Sequence, residues 1–287
     1  MPMKSFITLI VCGVLATQAL AKDSLTTALK AADERNYDQA IKTLSKLSKK
    51  QQDRDVLFYL ARVQYQAGEF HDASDTLEDF HPLHPNDSEA YYLSGLVYLA
   101  LINEVNVFKK VGMANKALSS WKASVAADPG NLDSRYAIFA YYTSAPGIAG
   151  GDMDIAREQM NEIEQLDRGY GAMAKGFLLS KRKDTAGAET AFKEAASLMN
   201  RAGPYFSLAE FFIETEQYEK AISSVQQFQG REKRWWDPDV TVACLVLARA
   251  NTELGNIEAA KKEAMLGLSM NPNKQIKKQL NKILMSL

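Results

Sequence analysis

An alanine returns along this chain at Ala40, Ala73, Ala117, Ala156, Ala188, Ala221 and Ala260. The spacings are 33, 44, 39, 32, 33 and 39 residues, a base period of 32–34 with insertions. Such a period points to stacked repeats rather than to one closed core. A small residue stands twelve positions before most of these alanines, at Ala28, Ala61, Gly176, Ala209 and Ala248, and Gly95 takes that role in the third unit. Larger apolar residues stand four positions after, at Leu44, Leu77, Trp121, Met160, Phe192 and Val225. Packed helix axes lie ~8–10 Å apart, at a distance set by the side chains at the crossing. Small residues on both helices let a pair close, and the larger ones fill its flanks.

Residues 54–87 show the unit most clearly. Leu57, Leu60, Ala61 and Gln64 share one stripe at helical spacing, and Phe70, Ala73, Leu77 and Phe80 share another. Gly68 divides the two helices as a C-cap, and Pro82 and Pro85 end the second. One such pair cannot bury its apolar surface alone, so neighbours must stack on it.

These positions resemble the tetratricopeptide repeat, a 34-residue helix–turn–helix unit. Leu57, Leu60, Ala61, Gly68, Phe70, Ala73, Leu77 and Pro85 stand at family positions, as do Leu247, Ala248, Gly255, Asn256, Ala260 and Pro272. Tyr205, Leu208, Ala209, Tyr218 and Ala221 carry it in the sixth unit. The resemblance implies an all-α, right-handed superhelical solenoid of about seven repeats, over 22–53, 54–87, 88–131, 132–168, 169–201, 202–240 and 241–273. Residues 274–287 read as a capping helix, with Ile276, Leu280, Ile283 and Leu284 turned to the last repeat. Two units depart from the pattern. The third carries ten extra residues, read as an extended turn through INEVNVFKKVGMANKA, and the fourth has Phe139 at the small position and the turn YYTSAPGIAGGDMDIA. The FKK-x-G stretch and the APGIAGG turn together resemble a set of exported bacterial repeat proteins.

Residues 1–21 read as a cleaved signal peptide: Lys4, an apolar run from Phe6 to Leu15, and Ala19-Leu20-Ala21 before the cut. Export across the inner membrane to the periplasm is therefore expected, with no membrane span after cleavage. The apolar run falls short of the ~20 residues a spanning helix needs. After cleavage only Cys244 remains, among Val242, Ala243 and Leu245, where burial is expected. A formal net charge of −1 argues against a nucleic-acid partner.

Catalytic motifs are missing: the sequence has no Gly-x-Ser-x-Gly, His-Glu-x-x-His or dinucleotide fingerprint. No cofactor and no metal is expected. His71, His81 and His84 lack further ligands at convincing spacing and suit a proline-stiffened, solvated loop. Trp235 and Trp236, in REKRWWDP, either form a basic, aromatic contact patch or plug the seam between two helix pairs. The rim loop Pro146, Gly147, Gly150 and Gly151 either offers backbone amides to a ligand or simply connects two helices, with Asp152 as the next N-cap. It is expected to lie beside the insertion of the third unit.

The resemblance also implies a partner-binding inner face lined by the first helix of each pair. Carried over, it comprises Phe58, Arg62, Tyr65, Tyr92, Leu96, Tyr136, Tyr170, Phe177, Phe206, Glu210 and Arg249. The expected function is a non-catalytic scaffold in the cell envelope, holding a peptide or protein through an aromatic groove. The alternative is a small-molecule or lipid-binding component of envelope transport or assembly, which requires an apolar pocket of ~300–1,000 Å³.

Overall fold

The computed structural model describes residues 22–287, so the expected signal peptide lies outside the described residues. Every regular element among them is a helix. The chain divides into two compact units at Pro85.

The first unit holds α1 (22–33), α2 (Tyr37–Ser48), α3 (Arg54–Ala67) and α4 (Phe70–Phe80). Ala28, Ala40, Ala61 and Ala73 have no exposed surface, as close helix crossing demands. Leu44, Leu60 and Val63 close the core around α1 and α2. Gly68 caps α3 at φ 81°, and the Thr76 hydroxyl of α4 donates to Gln64 Oε1 of α3 at 2.8 Å. His81 and His84 do not stand out in solvent: their rings rest on Phe80, with centroids 5.9 and 4.7 Å away.

The second unit runs α5 (Ser88–Leu101), α6 (Val107–Ala127), α7 (Leu132–Ser144), α8 (Met153–Leu166), α9 (Arg168–Lys181), α10 (Thr185–Leu198), α11 (Ala202–Glu214), α12 (Tyr218–Gln229), α13 (Val240–Glu253), α14 (Ile257–Ser269) and α15 (Lys274–Ser286). Consecutive helices pack as pairs, and each pair packs on the next. Aspartate or asparagine starts most of these helices. Asp87, Asn106, Asn131, Asp152, Asp167, Asp184, Asp239 and Asn273 each accept a backbone N–H of the first turn. Each such cap is worth about 1 kcal/mol. Asp167 ends α8 and starts α9, so these helices are joined by one residue.

Ala117, Ala156, Ala188, Ala221 and Ala260 are fully buried. Gly95 shows why a residue without a side chain is needed opposite: a Cβ there would fall 2.0 Å from Trp121 Nε1. In the fourth pair Phe139 takes the small residue's place with no exposed surface, and its ring meets Phe177 at 6.0 Å. Cys244 is buried. Leu280 of α15 is fully buried with Leu245, Ala248 and Ala264 around it.

The ten extra residues of the third unit differ from the extended turn expected of them. Only 102–106 form the connection, and from Val107 the insertion is helix, making α6 21 residues long. Asn106 accepts Lys109 N–H at 3.2 Å and starts that helix. A polar joint fixes its far end. Ser134 Oγ donates to Ser124 Oγ at 2.7 Å, Ser124 Oγ donates to Ser88 O at 2.7 Å, and Asn131 Nδ2 donates to Ser88 Oγ at 2.9 Å. The joint ties α5, α6 and α7, the three helices that build the cleft described below.

Candidate functional site

The first helices of the pairs carry the expected inner-face residues. In the first unit Phe58 is 2% exposed, with the Arg54 guanidinium 4.3 Å from its ring centre. Arg62 lies over Tyr59 at 5.7 Å. Tyr65 rests on Phe70 at 5.7 Å, and burial pushes its phenol up to about 12. In the second unit Tyr92, Tyr170 and Phe206 are buried, Leu96, Tyr136 and Phe177 are half-buried, and Glu210 and Arg249 are exposed. Phe206 packs on Phe228 at 5.3 Å, inside a core of α11, α12 and α13.

Tyr92 and Tyr170 are buried by the chain itself. After α12, residues 230–239 are non-helical, and they lie across α5, α7 and α9. Trp235 Nε1 donates to Glu89 Oε1 at 2.7 Å. The Trp236 ring meets Tyr92 at 5.4 Å, edge to face, and the two indoles meet at 5.1 Å. Arg234 forms an ion pair with Asp133 and donates to Tyr170 Oη at 3.0 Å. Tyr170 in turn donates to Asp133 Oδ1, while Arg201 lies 4.5 Å from its ring centre. Burial, then the Asp133 charge, raises the Tyr170 phenol, so the hydroxyl stays a donor. The segment is held at its base by Ala202 N–H donating to Glu232 O at 3.0 Å and by Arg234 N–H donating to Asp237 Oδ2 at 2.7 Å. The two tryptophans thus do more than plug a local seam: they reach a helix three repeats away.

Further along the inner face, Tyr136 meets Tyr170 at 6.5 Å. Burial, then the Glu210 charge, raises its phenol. Glu210 is exposed by surface area but sits where protein crowds its hydration shell. That desolvation, and then Glu214, push its carboxyl up to about 7 against the opposing charge of Arg249.

A second feature opens between α5, α6, α7 and the rim turn, a cleft of about 550 Å³. Leu96, Leu99 and Ile102 line it from α5 and the turn after it. Val111, Ala114, Ala117 and Trp121 line it from α6, and Tyr136, Ala137, Ala140 and Tyr141 from α7. Pro146, Ile148 and Ala149 close one end, so the insertion and the glycine turn share one cavity. The turn itself is a short 3-10 segment, Gly147–Ala149. Gly150 has φ 85°, and a Cβ on Gly151 would fall 1.8 Å from the Ala145 carbonyl oxygen. Its amides serve its own backbone: Ala149 and Gly151 donate to Pro146 O, Gly150 to Gly147 O, and Asp152 to Tyr142 O. The turn therefore works as a rigid wall. Tyr141 anchors it, its hydroxyl lying in hydrogen-bond contact with Ala149 O and 3.2 Å from the Asn115 amide of α6.

Among the described residues no group of three or more His, Cys, Asp and Glu could hold a metal ion, and no helix is long and apolar enough to cross a membrane.

Helix pairs with small residues at most crossings, stacked in series, define a helical-hairpin repeat protein. The particular repeat follows from the comparisons. Residues 242–274 match the tetratricopeptide repeat model, and residues 33–106 match the model of anaphase-promoting complex, cyclosome, subunit 3. A tetratricopeptide repeat protein from Parabacteroides merdae superposes with a TM-score of 0.54 at 15% identity, over 92% of this chain and 98% of that one. One from Thermus thermophilus superposes with a TM-score of 0.50 at 16% identity, over 82% and 98%. No curated protein matches the sequence. Residues 242–274 thus carry a tetratricopeptide repeat, and the described residues have the fold of tetratricopeptide repeat proteins.

Proposed function

We propose that the protein is a non-catalytic, exported scaffold of the bacterial cell envelope, periplasmic once residues 1–21 are removed, whose inner face holds an extended peptide segment of a partner protein. One observation carries this reading: that face already seats a non-helical peptide segment, the chain's own residues 230–239, which turns at 234–237. The contacts of the seated segment support a chemistry for the partner. Tyr92 meets an indole edge to face, Glu89 accepts an indole N–H, and Asp133 with Tyr170 receives a guanidinium. Rigid rings give large contact area at low entropy cost, and ionised partners strengthen the hydrogen bonds. The partner segment is accordingly aromatic and basic.

The test removes the internal occupant. A variant with Trp235→Ala and Trp236→Ala should bind a labelled synthetic peptide of sequence GREKRWWDPD in trans, and the unmutated protein should bind it more weakly. Adding Tyr92→Ala to the open variant should abolish that binding. If the open variant, still helical, ignores the peptide, the inner face is not a peptide seat.

A further inference from the structure

We infer that the cleft between α5, α6 and α7 is a binding site for a long-chain fatty acid, with its acyl chain inside and its carboxylate at Lys110. The site is separate from the peptide seat above, and neither reading depends on the other.

The wall chemistry selects the ligand. Alanines 114, 137 and 140 bring only methyl groups, and Trp121 and Leu96 bring apolar surface. The Tyr141 hydroxyl is engaged with Ala149 and Asn115. Trp121 Nε1, buried without a hydrogen-bond partner, lies against Gly95. A peptide entering such a cleft would leave most of the N–H and C=O groups facing its apolar walls without partners, which disfavours it. An acyl chain has no such groups, and its burial is favourable in proportion to the apolar area removed from water. The volume, about 550 Å³, lies within the range of ligand cavities, roughly 300–1,000 Å³.

The mouth selects the headgroup. Lys110 is the one charged residue in the lining. Among the described residues neither Lys110 nor Lys109 forms an ion pair, so both ammonium groups are open to an anion. Apolar side chains stand exposed beside them: Phe108 is 91% exposed, Ile148 87% and Val107 68%. An apolar slot with a cation at its rim is complementary to an anionic amphiphile, and an acyl chain bearing a carboxylate is the simplest of these. The walls are also fixed in place before any ligand arrives, by the serine–asparagine joint at one end and the self-bonded glycine turn at the other.

The experiment is displacement of dansyl-undecanoic acid from the purified protein by hexadecanoate, with hexadecanol and phosphatidylglycerol vesicles as comparisons. One probe should bind per chain, and hexadecanoate should displace it. Hexadecanol should compete about fivefold less well, as should hexadecanoate against Lys110→Glu, since a solvated ion pair is worth up to ~1 kcal/mol. Ala137→Phe should fill the cleft and abolish uptake. Lys110 is exposed, so its variant keeps the test decisive if Ala137→Phe fails to fold. Absence of probe binding overturns the inference. So do equal competition by hexadecanol, an unchanged Lys110→Glu, or association with vesicles alone and no uptake of the free acid.

Discussion

Trp235 donates its indole N–H to Glu89 at 2.7 Å, across 146 positions of sequence. The bond joins the loop after α12 to the first turn of α5, and Trp236 on Tyr92 and Arg234 on Asp133 run beside it. In a stacked repeat each pair ordinarily touches only its neighbours, so stability adds along the stack. Here a single loop couples three repeats of the second unit, and their unfolding should be more concerted than nearest-neighbour stacking alone would make it.

That coupling can be measured. Trp235→Ala should cost about 2–3 kcal/mol, below the figure for a core tryptophan because the ring is half-buried. Trp235→Phe keeps most of the packing and loses the bond to a carboxylate, so it should cost about 1 kcal/mol. Hydrogen exchange should rise in α5 as well as in residues 230–239. Faster exchange confined to the loop would mean that the contact does not hold α5.

Ala73 sits fully buried where α3 and α4 cross. Ala73→Leu adds volume to a site with no space, and a cost of ~1–3 kcal/mol is expected. The denaturant midpoint of the variant checks this against an exposed control, Asp72→Ala. Equal midpoints would place the crossing elsewhere.

The repeat was legible in the sequence because helix packing forces its signature. A crossing at close range admits alanine or glycine and little else, so Ala40, Ala73 and the rest stand out at fixed spacing. The lengthened α6 carried a signal too, Asn106 as an N-cap, but Val107, Phe108, Val111 and Gly112 are poor helix formers, and the repeat template made the extra residues look like turn. The destination of Trp235 had no signal. A loop has no periodicity, and nothing local tells an indole which helix of another repeat it will meet; only the mixture of arginine and tryptophan hinted at a contact. The cleft was hidden for a similar reason. Alanines 114, 137 and 140 read as ordinary packing positions, and the space they leave depends on how far apart α6 and the glycine turn hold their walls.

Glu210 gives the fold a pH dependence. Its carboxyl, raised from 4.5 to about 7 first by desolvation and then by Glu214, keeps its proton in the folded chain where the unfolded chain has lost it. The group's contribution to stability is therefore fully present below about pH 4.5 and is lost as pH rises through about 7. Glu210→Gln stays neutral and removes that dependence. Between about pH 5 and about pH 7.5 the melting temperature of the unmutated protein should fall relative to the variant. Parallel curves for the two proteins would show that Glu210 is well hydrated.

Gly151 tests whether the rim turn is a wall. Its Cβ would overlap the Ala145 carbonyl, which is backbone and cannot swing aside, while a Cβ on Gly147 meets nothing within 4 Å. Gly151→Ala should therefore push the turn outward, break the Gly151 N–H bond to Pro146 O, and cost on the order of 1–3 kcal/mol. Gly147→Ala should be near neutral. The turn also carries Ile148 and Ala149 into the cleft lining, so its displacement should be felt there. Tyr141→Phe supplies the companion measurement, since it frees Ala149 O without adding bulk, at about 1 kcal/mol. Both variants should speed hydrogen exchange at Ala149, Gly150 and Gly151 and leave α13 and α14 unchanged. If Gly151→Ala melts with Gly147→Ala and exchanges no faster, the turn is a loose connector and the cleft has no fixed end.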